Sequence, residues 1–421
     1  MDKTAIKQIL LEQKEEVKKI FQGKIIKREV EERIKKSLKD NLIKVIIGPR
    51  RAGKSVLCHQ ILKDKNYGYI NFDDERLINI KPEKLNDFLE VLKEINPDFN
   101  YLLLDEVQNV NGWEFFVNRL NRNHYNVLLT GSNAKLLSKE LATHLTGRHL
   151  SFELYPFSFS EFLTMNDFFY SKDDLYLTEK KAVIKKYLNE YLKIGGFPEV
   201  SFLEFKNQYL RELFDRIIAR DIVFRFSLRY VRDLKEIALY LVNNFGVRIS
   251  FHQLRRIFSI KSVHTIKNYL DFLEQAYLIF SLPPFSYKPK ERLAYFKKIY
   301  VIDNGLINAI STQFSSNIGR LMENLVFLEL KRRDKEFYYY FEQNLEVDFV
   351  LVENRKISQL IQVCFNPNEP TTKKRETTSL IKASEKLKCN NLLIITWDEE
   401  KEEKFLEKRI KFIPLWKWLL E

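Results

Sequence analysis

The chain has 421 residues, of which 45% are hydrophobic, so it is long enough for two or three domains that each bury a core. Its 70 Lys and Arg residues against 57 Asp and Glu residues give a formal net charge of +13, which favours an anionic partner, either nucleic acid or an acidic membrane face. The N-terminus is a charged helical pattern, and no run approaches about 18 uninterrupted apolar residues, so we expect neither a signal peptide nor a membrane span.

The first chemical motif lies in residues 42–62, LIKVIIGPRRAGKSVLCHQIL, where an apolar strand pattern passes through a loop into a helical pattern. The loop has the spacing G-x-x-x-x-G-K-S in the order of strand, loop and helix that this motif requires. Backbone N–H groups of such a loop surround phosphate oxygens, Lys54 would reach the β/γ-phosphates, and the Ser55 hydroxyl would ligate Mg²⁺. We predict that ATP binds to Gly48, Pro49, Arg50, Arg51, Ala52, Gly53, Lys54, Ser55 and Val56.

A second apolar strand pattern, residues 101–104, ends in the acid pair Asp105 and Glu106. Beside a phosphate loop, Asp105 would hold Mg²⁺ through water and Glu106 would activate the attacking water as general base. The alternative is that the two acids only cap the next helix. Four apolar residues of that helix recur at helical spacing and predict a side that faces the core: Trp113, Phe116, Val117 and Leu120.

A third apolar strand pattern, residues 125–129, leads into Thr-Gly-Ser-Asn at residues 130–133. A small polar side chain at this strand end would be placed to sense the γ-phosphate from the neighbouring strand. Ser132 and Asn133 are equal candidates for that role.

Together these segments resemble the AAA+ ATPases of the archaeal type. The resemblance covers roughly residues 40–200 and rests on GPRRAGKS, YINFDDERL, YLLLDEVQNVNGWEFFVNRL, LLTGSN, GRHLSFELYPFSFSEFL and GGFPE. It implies the same nucleotide roles for Lys54, Ser55, Asp105 and Glu106. It also places Arg148 where such ATPases offer an arginine to a neighbouring subunit's γ-phosphate, with a structural or solvated arginine as the alternative. A homo-oligomeric ring is implied by analogy only.

The positive charge is concentrated in residues 206–300, which contain 18 Lys and Arg against 8 Asp and Glu. Residues 249–282 predict helix, turn, helix and strand, and a loop rich in Pro and Lys then leads to another strand. This is a winged-helix pattern, and the resembled family has one at the same point. The residues predicted to contact DNA are Lys261, Ser262, His264, Thr265, Lys267 and Asn268 on the second helix, with Lys288 and Lys290 in the loop. The alternative is a packing scaffold or a subunit contact.

The C-terminal part predicts an amphipathic helix, three strands, a helix and a strand, which is the core order of the restriction-endonuclease-like fold. Nucleases of that fold hold Mg²⁺ with an Asp and a Glu while a Lys orients the attacking water. Glu323 and Asp348 match two acidic positions, Gln362 stands where the second metal-binding acid belongs, and Cys364 stands where the lysine belongs.

These two replacements predict a degenerate nuclease site. Gln is neutral and offers Mg²⁺ one carbonyl oxygen, and a half-buried thiol stays mostly neutral and cannot replace a cationic lysine. A relocated lysine such as Lys373 or Lys374 is the alternative that would restore cleavage. We expect this domain to recognise DNA without cutting it.

The sequence therefore predicts an α/β protein with three domains. These are a P-loop AAA+ ATPase core with its N-terminal helical segment and lid (residues 1–205), a winged-helix middle domain (206–305) and an α/β restriction-endonuclease-like domain (306–421). The expected function is ATP hydrolysis with Mg²⁺ and DNA binding in the cytoplasm, where three widely spaced cysteines would stay reduced. Two rivals are a nucleotide-controlled signalling switch that acts on a partner protein, and an ATP-licensed metal-dependent nuclease.

Overall fold

The computed structural model describes residues 1–78, 80–132, 147–288, 296–311, 317–343, 345–405 and 407–421. The chain divides into one unit of residues 1–157 with 275–277 and a second unit of residues 158–274 and 278–421. Two predicted site residues, Asn133 and Lys290, lie outside the described residues. Among the helices of the described ranges, none is both long and apolar enough to cross a lipid bilayer.

The first unit contains one parallel sheet and the helices around it. Its strands are β1 Ile43–Ile47, β2 Tyr67–Asn71, β3 Tyr101–Asp105, β4 Asn126–Gly131 and β5 His149–Glu153. Its helices are α1 Lys3–Ile20, α2 Glu31–Ser37, α3 Lys54–Ile61, α4 Leu85–Ile95 and α5 Trp113–Arg122. The strand order is β2-β3-β4-β1-β5, and every neighbouring pair is parallel. The carboxyl ends of β1, β3 and β4 therefore meet at one edge, where ligands bind in open α/β sheets.

The apolar runs of β1, β3 and β4 are explained by their position inside this sheet. Nearly every residue of the three strands is buried, so the side chains show no alternation between apolar and polar. The predicted core-facing side of α5 is confirmed, because its four apolar residues are all buried: Trp113, Phe116, Val117 and Leu120.

The first part of the second unit is mainly helical. Its helices are α6 Phe159–Met165, α7 Thr178–Ile194, α8 Lys206–Arg216, α9 Val231–Asn243, α10 Phe251–Ile257, α11 Val263–Gln275 and α12 Asn304–Ile310. Its short strands are β6 Arg248–Ile249, β7 Ile279–Leu282 and β8 Lys297–Val301. These strands form an antiparallel sheet in the order β6-β8-β7.

The last part of the second unit contains a six-stranded mixed sheet. Its elements are α13 Ile318–Arg332, β9 Glu336–Glu342, β10 Leu345–Glu353, β11 Lys356–Cys364, α14 Pro370–Leu387, β12 Leu392–Thr396, β13 Lys401–Phe405, β14 Lys408–Pro414 and α15 Leu415–Leu420. The strand order is β13-β14-β12-β11-β10-β9. The predicted order of helix, three strands, helix and strand is confirmed from α13 to β12.

The prediction that α13 is amphipathic is wrong. All ten residues from Leu321 to Leu330 are buried. The helix is surrounded because it contacts β8, β11, α7, α12 and α15 of the same unit. A helix covered on all sides carries polar residues only where they find partners, and the buried amide of Asn324 donates to Val301 O at 2.9 Å.

Candidate functional site

The loop between β1 and α3 depends on two glycines. Gly48 has a φ of +156°, and a Cβ added there would lie 2.1 Å from the carbonyl oxygen of Leu154. Gly53 has a φ of +90° at the position directly before α3. Side chains at either position would be strained, so the G-x-x-x-x-G spacing is required by this backbone. The loop ends at a helix N-terminus, which favours negatively charged groups.

Lys54 is the first residue of α3, and its buried ammonium group faces the loop. Its Nζ donates to Gly48 O at 3.1 Å and to Pro49 O at 3.0 Å. The nearest carboxylate oxygen, Oε1 of Glu106, lies 3.6 Å away. Because the two close acceptors are neutral, an anionic phosphate would be a stronger partner for this ammonium than the carbonyls are.

Asp105 ends β3 and is buried at the sheet edge that Lys54 occupies. Burial raises the pKa of its carboxyl, and the neighbouring Glu106 raises it further. The hydroxyl groups of Ser55 and Thr130 both hydrogen-bond to this carboxyl. The two predicted Mg²⁺ ligands, Ser55 and Asp105, are therefore adjacent.

Glu106 has a φ of +49°, a left-handed conformation that is uncommon for a residue other than glycine. Its backbone N–H donates to the Thr130 hydroxyl at 3.0 Å, and Gln108 donates to its carboxylate. These contacts turn the Glu106 side chain toward Lys54. A strained residue held by its neighbours is typical of functional sites.

The other predicted nucleotide-site residues differ in exposure. Ser132 is buried just after β4, whereas Arg51 and Arg148 are exposed. Arg50 faces Asp73, with 3.7 Å between Nη1 and Oδ2. The roles of these residues in nucleotide chemistry stay predictions.

Sequence reasoning missed two residues that support the site. Arg28 is buried, donates to Ala52 O at 2.8 Å and to Tyr155 O at 2.6 Å, and lies over the Phe157 ring. It thereby fixes the loop to the segment after β5. Thr130 contacts both acids, although Ser132 and Asn133 were the expected polar residues of that strand end. Neither contact has a sequence signal, because the partners lie far apart in the chain.

The residues of this edge fit a bound Mg²⁺–nucleotide. Within the described ranges, no group of three or more His, Cys, Asp or Glu side chains is arranged to hold a metal ion. Mg²⁺ at a nucleotide needs no such group, because one or two protein ligands and the phosphates usually hold it. Ser55 and Asp105 would supply those protein ligands, and the loop ends at the N-terminus of α3, which favours phosphate.

Comparisons with known proteins agree with this geometry. Family models match residues 40–163 as an AAA domain, residues 185–317 as a domain of unknown function (DUF8612), and residues 318–418 as another (DUF4143). An uncharacterized protein of Methanocaldococcus jannaschii is 43% identical, over 99% of this chain and 96% of that protein. This chain belongs to the archaeal-type AAA+ P-loop ATPases.

Two further matches were found for this archaeal-type ATPase. An uncharacterized protein of Haemophilus influenzae is 33% identical, over 81% of this chain and 86% of that protein. Among solved structures, a Walker-type ATPase of Pyrococcus abyssi is 15% identical with a TM-score of 0.41, over 68% of this chain and 96% of that one.

The second charged cluster of this ATPase lines a cavity of about 750 Å³ beside β10 and β11. All four residues of the predicted degenerate nuclease site line it: Glu323, Asp348, Gln362 and Cys364. The buried ammonium of Lys298, on β8, lies among three carboxylates. Their nearest oxygens are 2.7 Å (Glu323), 2.7 Å (Glu346) and 2.8 Å (Asp348) from Nζ.

The lysine and the carboxylates shift each other's protonation inside the cavity. Burial alone lowers the pKa of Lys298, but Asp348 and Glu323 raise it well above its ordinary value, so the lysine stays charged. Burial, and next the charge of Asp348, raises the pKa of Glu323 to about 7. The Tyr300 hydroxyl also donates to Glu323, at 2.7 Å.

The two unusual residues of the predicted site have defined partners. Gln362 accepts from the backbone N–H of Asp348 at 3.2 Å and donates to the carboxylate of Glu376. Burial, and next Glu376, raises the pKa of the Cys364 thiol to about 12. The expectation of a neutral thiol at this position is therefore confirmed.

The structure corrects the prediction about a relocated lysine. Lys373 lies 2.8 Å from Glu403 and Lys374 is exposed, so neither reaches the cavity, whereas Lys298 does. Glu376 of α14 likewise supplies a carboxylate beside Gln362. The sequence did contain one indication that Lys298 faces the interior. Side chains alternate along β8, so Lys298 and Tyr300 lie on one face and Lys297 on the other.

The predicted DNA-contacting face of α11 is largely accessible. Lys261, Ser262, His264, Lys267 and Asn268 are exposed, and Thr265 is half-buried. Three apolar residues of α11 are buried in the core: Ile266, Leu270 and Leu273. Lys288, after β7, is exposed as well.

Proposed function

We propose that this protein hydrolyses ATP with Mg²⁺ at the edge of its parallel sheet. One observation carries the proposal: Lys54, Ser55, Asp105 and Glu106 converge beside a loop that ends at the N-terminus of α3. Each residue type matches one need of phosphoryl transfer, namely charge neutralisation, metal binding and proton acceptance.

In this mechanism, Lys54 exchanges its two loop carbonyls for oxygens of the β/γ-phosphates. Ser55 and Asp105 would hold Mg²⁺, which would neutralise charge on the phosphates. Glu106 orients the attacking water and accepts its proton. Thr130 acts as a positioning residue, because it accepts the backbone N–H of Glu106 and donates to Asp105. Ser132 or Asn133 would sense the γ-phosphate.

We also propose that the protein binds DNA through a winged helix in a three-domain chain divided at residues 205 and 305. The helices α9, α10 and α11 with the sheet β6-β8-β7 support the winged-helix interpretation. The exposed polar face of α11 and Lys288 would contact phosphates and base edges. ATP hydrolysis would then control how the second unit engages DNA.

The α11 face can be tested by charge reversal. Duplex binding should weaken steeply with salt, and Lys261→Glu with Lys267→Glu should weaken it and reduce the salt slope by about 2. Lys186→Glu with Lys404→Glu changes the net charge equally at other exposed lysines and is the matched control. Equal losses in both double variants would remove the case for a specific face.

Coupling between the activities requires a second measurement. Phosphate release should be followed with single-stranded, duplex and branched DNA and with RNA, and the nucleic acid should be inspected on gels afterwards. Stimulation by one of these polymers, lost in the Lys261/Lys267 variant, is expected. Identical rates with and without every polymer would separate the ATPase from nucleic acid.

Two further parts of the proposal concern the protein's surroundings. Arg148 is exposed, which supports a role in completing the nucleotide site of a neighbouring copy. Mixing Arg148→Ala with Glu106→Gln protein should then generate active sites that neither variant has alone.

We place the protein in the cytoplasm, where its buried cysteines would stay reduced: Cys58, Cys364 and Cys389.

A metal-dependent nuclease is the second candidate function, and one observation favours it. Gln362 and Cys364 stand where nucleases of this fold have an acid and a lysine. Glu376 and Lys298 line the same cavity and bring an acid and a lysine to it. Cleavage of DNA with Mg²⁺ or Mn²⁺ that disappears in Asp348→Asn would support it. Intact DNA with every metal, with and without ATP, would eliminate it.

A further inference from the structure

A second cavity, of about 680 Å³, lies between the segment after β7 and strand β9. We call it the aromatic groove, and its rings are Phe285, Tyr287, Phe296, Tyr339, Tyr340 and Phe341. Three of these rings are unusually accessible, with exposed fractions of 73% for Tyr287, 46% for Phe296 and 37% for Phe341. Large exposed rings grouped around one cavity indicate a binding surface.

One side of the groove is held together by hydrogen bonds. Strand β9 is the edge of the six-stranded sheet, and residues 283–285 pair with it. The Phe285 N–H donates to Tyr339 O at 2.6 Å, and the Tyr339 N–H donates to Pro283 O at 3.3 Å. The Tyr339 hydroxyl donates to the Phe296 carbonyl. These bonds hold the backbone that carries Phe285, Phe296 and Tyr339.

Cations accompany the rings. The guanidinium of Arg248 lies 3.3 Å from the centroid of the Phe341 ring, so a flat cation and a flat ring are stacked. Lys288 and Lys386 also line the groove, and the carboxylate of Glu342, which lines it among the described residues, lies 2.8 Å from Lys386. Arg248 additionally faces Glu346 at 3.2 Å, where the groove borders the acidic cavity.

We propose that the aromatic groove binds single-stranded nucleic acid. Unpaired bases would stack on Tyr287 and on the Phe341–Arg248 pair, and Lys288 would contact phosphate. The bases of an intact duplex are stacked on one another, so this groove would not accept them. An acidic peptide would use the cations and leave the exposed rings without a role.

This inference deepens the proposed DNA binding and rests on it for the class of partner. It assigns unpaired strands to the groove and leaves duplex to the α11 face. A protein that opens or follows partly unwound DNA needs both surfaces, and both lie in the second unit.

The test is fluorescence anisotropy of the full-length protein with a labelled oligothymidylate and with an abasic strand of equal length. Tyr287→Ala should weaken oligothymidylate binding by roughly 5- to 150-fold, since stacking on one ring contributes about 1–3 kcal/mol. Tyr287→Phe keeps the ring and should bind as wild type. The 73% exposure of Tyr287 makes both variants compatible with folding, and thermal unfolding checks this.

Three outcomes would overturn the proposal. They are equal affinity for the abasic strand, unchanged binding by Tyr287→Ala, and equally tight binding of a labelled oligoglutamate peptide. Measuring duplex binding by the Lys261→Glu/Lys267→Glu variant distinguishes a failure of the α11 face from a failure of the groove. If that variant binds duplex normally while Tyr287→Ala loses oligothymidylate, the α11 face is refuted and the groove stands.

Discussion

The nucleotide site and the acidic cavity are built from the same residue types and differ in charge balance. In both, a buried lysine lies beside carboxylates. The Lys54 ammonium has two neutral carbonyls at 3.0 and 3.1 Å and its nearest carboxylate oxygen at 3.6 Å. The Lys298 ammonium has three carboxylates at 2.7–2.8 Å.

This difference separates a lysine available for a ligand from one that holds the fold together. Lys54 can exchange weak acceptors for phosphate, because neutral carbonyls are poorer partners than anions. Lys298 would have to leave three anions in a buried cavity, which is costly. The comparison predicts that replacing Lys54 removes function and that replacing Lys298 removes stability.

The largest effect is expected for Lys298→Met. The change leaves the buried carboxylates of Glu323 and Asp348, and the half-buried carboxylate of Glu346, without this cation, so the free energy of unfolding should fall by about 3–5 kcal/mol. Denaturant unfolding measures the loss. Lys297→Met is the matched control, because Lys297 is the neighbouring residue on the opposite face of β8 and is half-buried. A Lys298→Met protein as stable as this control would break the comparison.

Lys54→Met should behave in the opposite way. Losing one preorganised cation at the phosphates should lower the rate of ATP hydrolysis by about 10²–10³-fold, with little change in unfolding free energy. Phosphate release and denaturant unfolding give the two readings. Lys63→Met, at an exposed lysine just beyond α3, should match wild type in both.

Thr130→Val tests the hydroxyl that links the two acids of the nucleotide site. It removes the acceptor for the Glu106 N–H and the donor to Asp105, which should destabilise the first unit by about 1–3 kcal/mol. As a positioning effect, kcat should fall more than KM rises. Thr130→Ser keeps the hydroxyl and should recover most of kcat, and a Ser variant as slow as Val would argue against this role.

The features that could be predicted from the sequence are those encoded within short segments of the chain. The phosphate loop, the acid pair after β3 and the buried side of α5 follow from spacing within short segments. The partners of Lys298 come from α13 and β10, and those of Arg28 lie in the phosphate loop and after β5, so only tertiary packing brings them together. The cavity residues Gln362 and Cys364 indicated a missing acid and lysine, but not that Glu376 and Lys298 stand nearby.

The smallest expected effect concerns pH. The pKa of Glu323 is raised from its ordinary value of 4.5 to about 7, so the folded protein retains a proton that the unfolded chain releases. Stability from this group is therefore present below about pH 4.5 and is lost as the pH rises to about 7. Glu323→Gln should flatten this dependence, measured by denaturant unfolding at each pH. An unchanged slope would show that the group titrates normally.

The central claim is that Glu106 activates water for ATP hydrolysis at the edge of the parallel sheet. Single-turnover hydrolysis and binding of a fluorescent ATP analogue, compared between wild type and Glu106→Gln, test it most directly. Mg²⁺–ATP affinity should change by no more than a few-fold, while the hydrolysis rate should fall by about 10²–10⁴-fold. A Glu106→Gln protein that hydrolyses ATP as fast as wild type would contradict it.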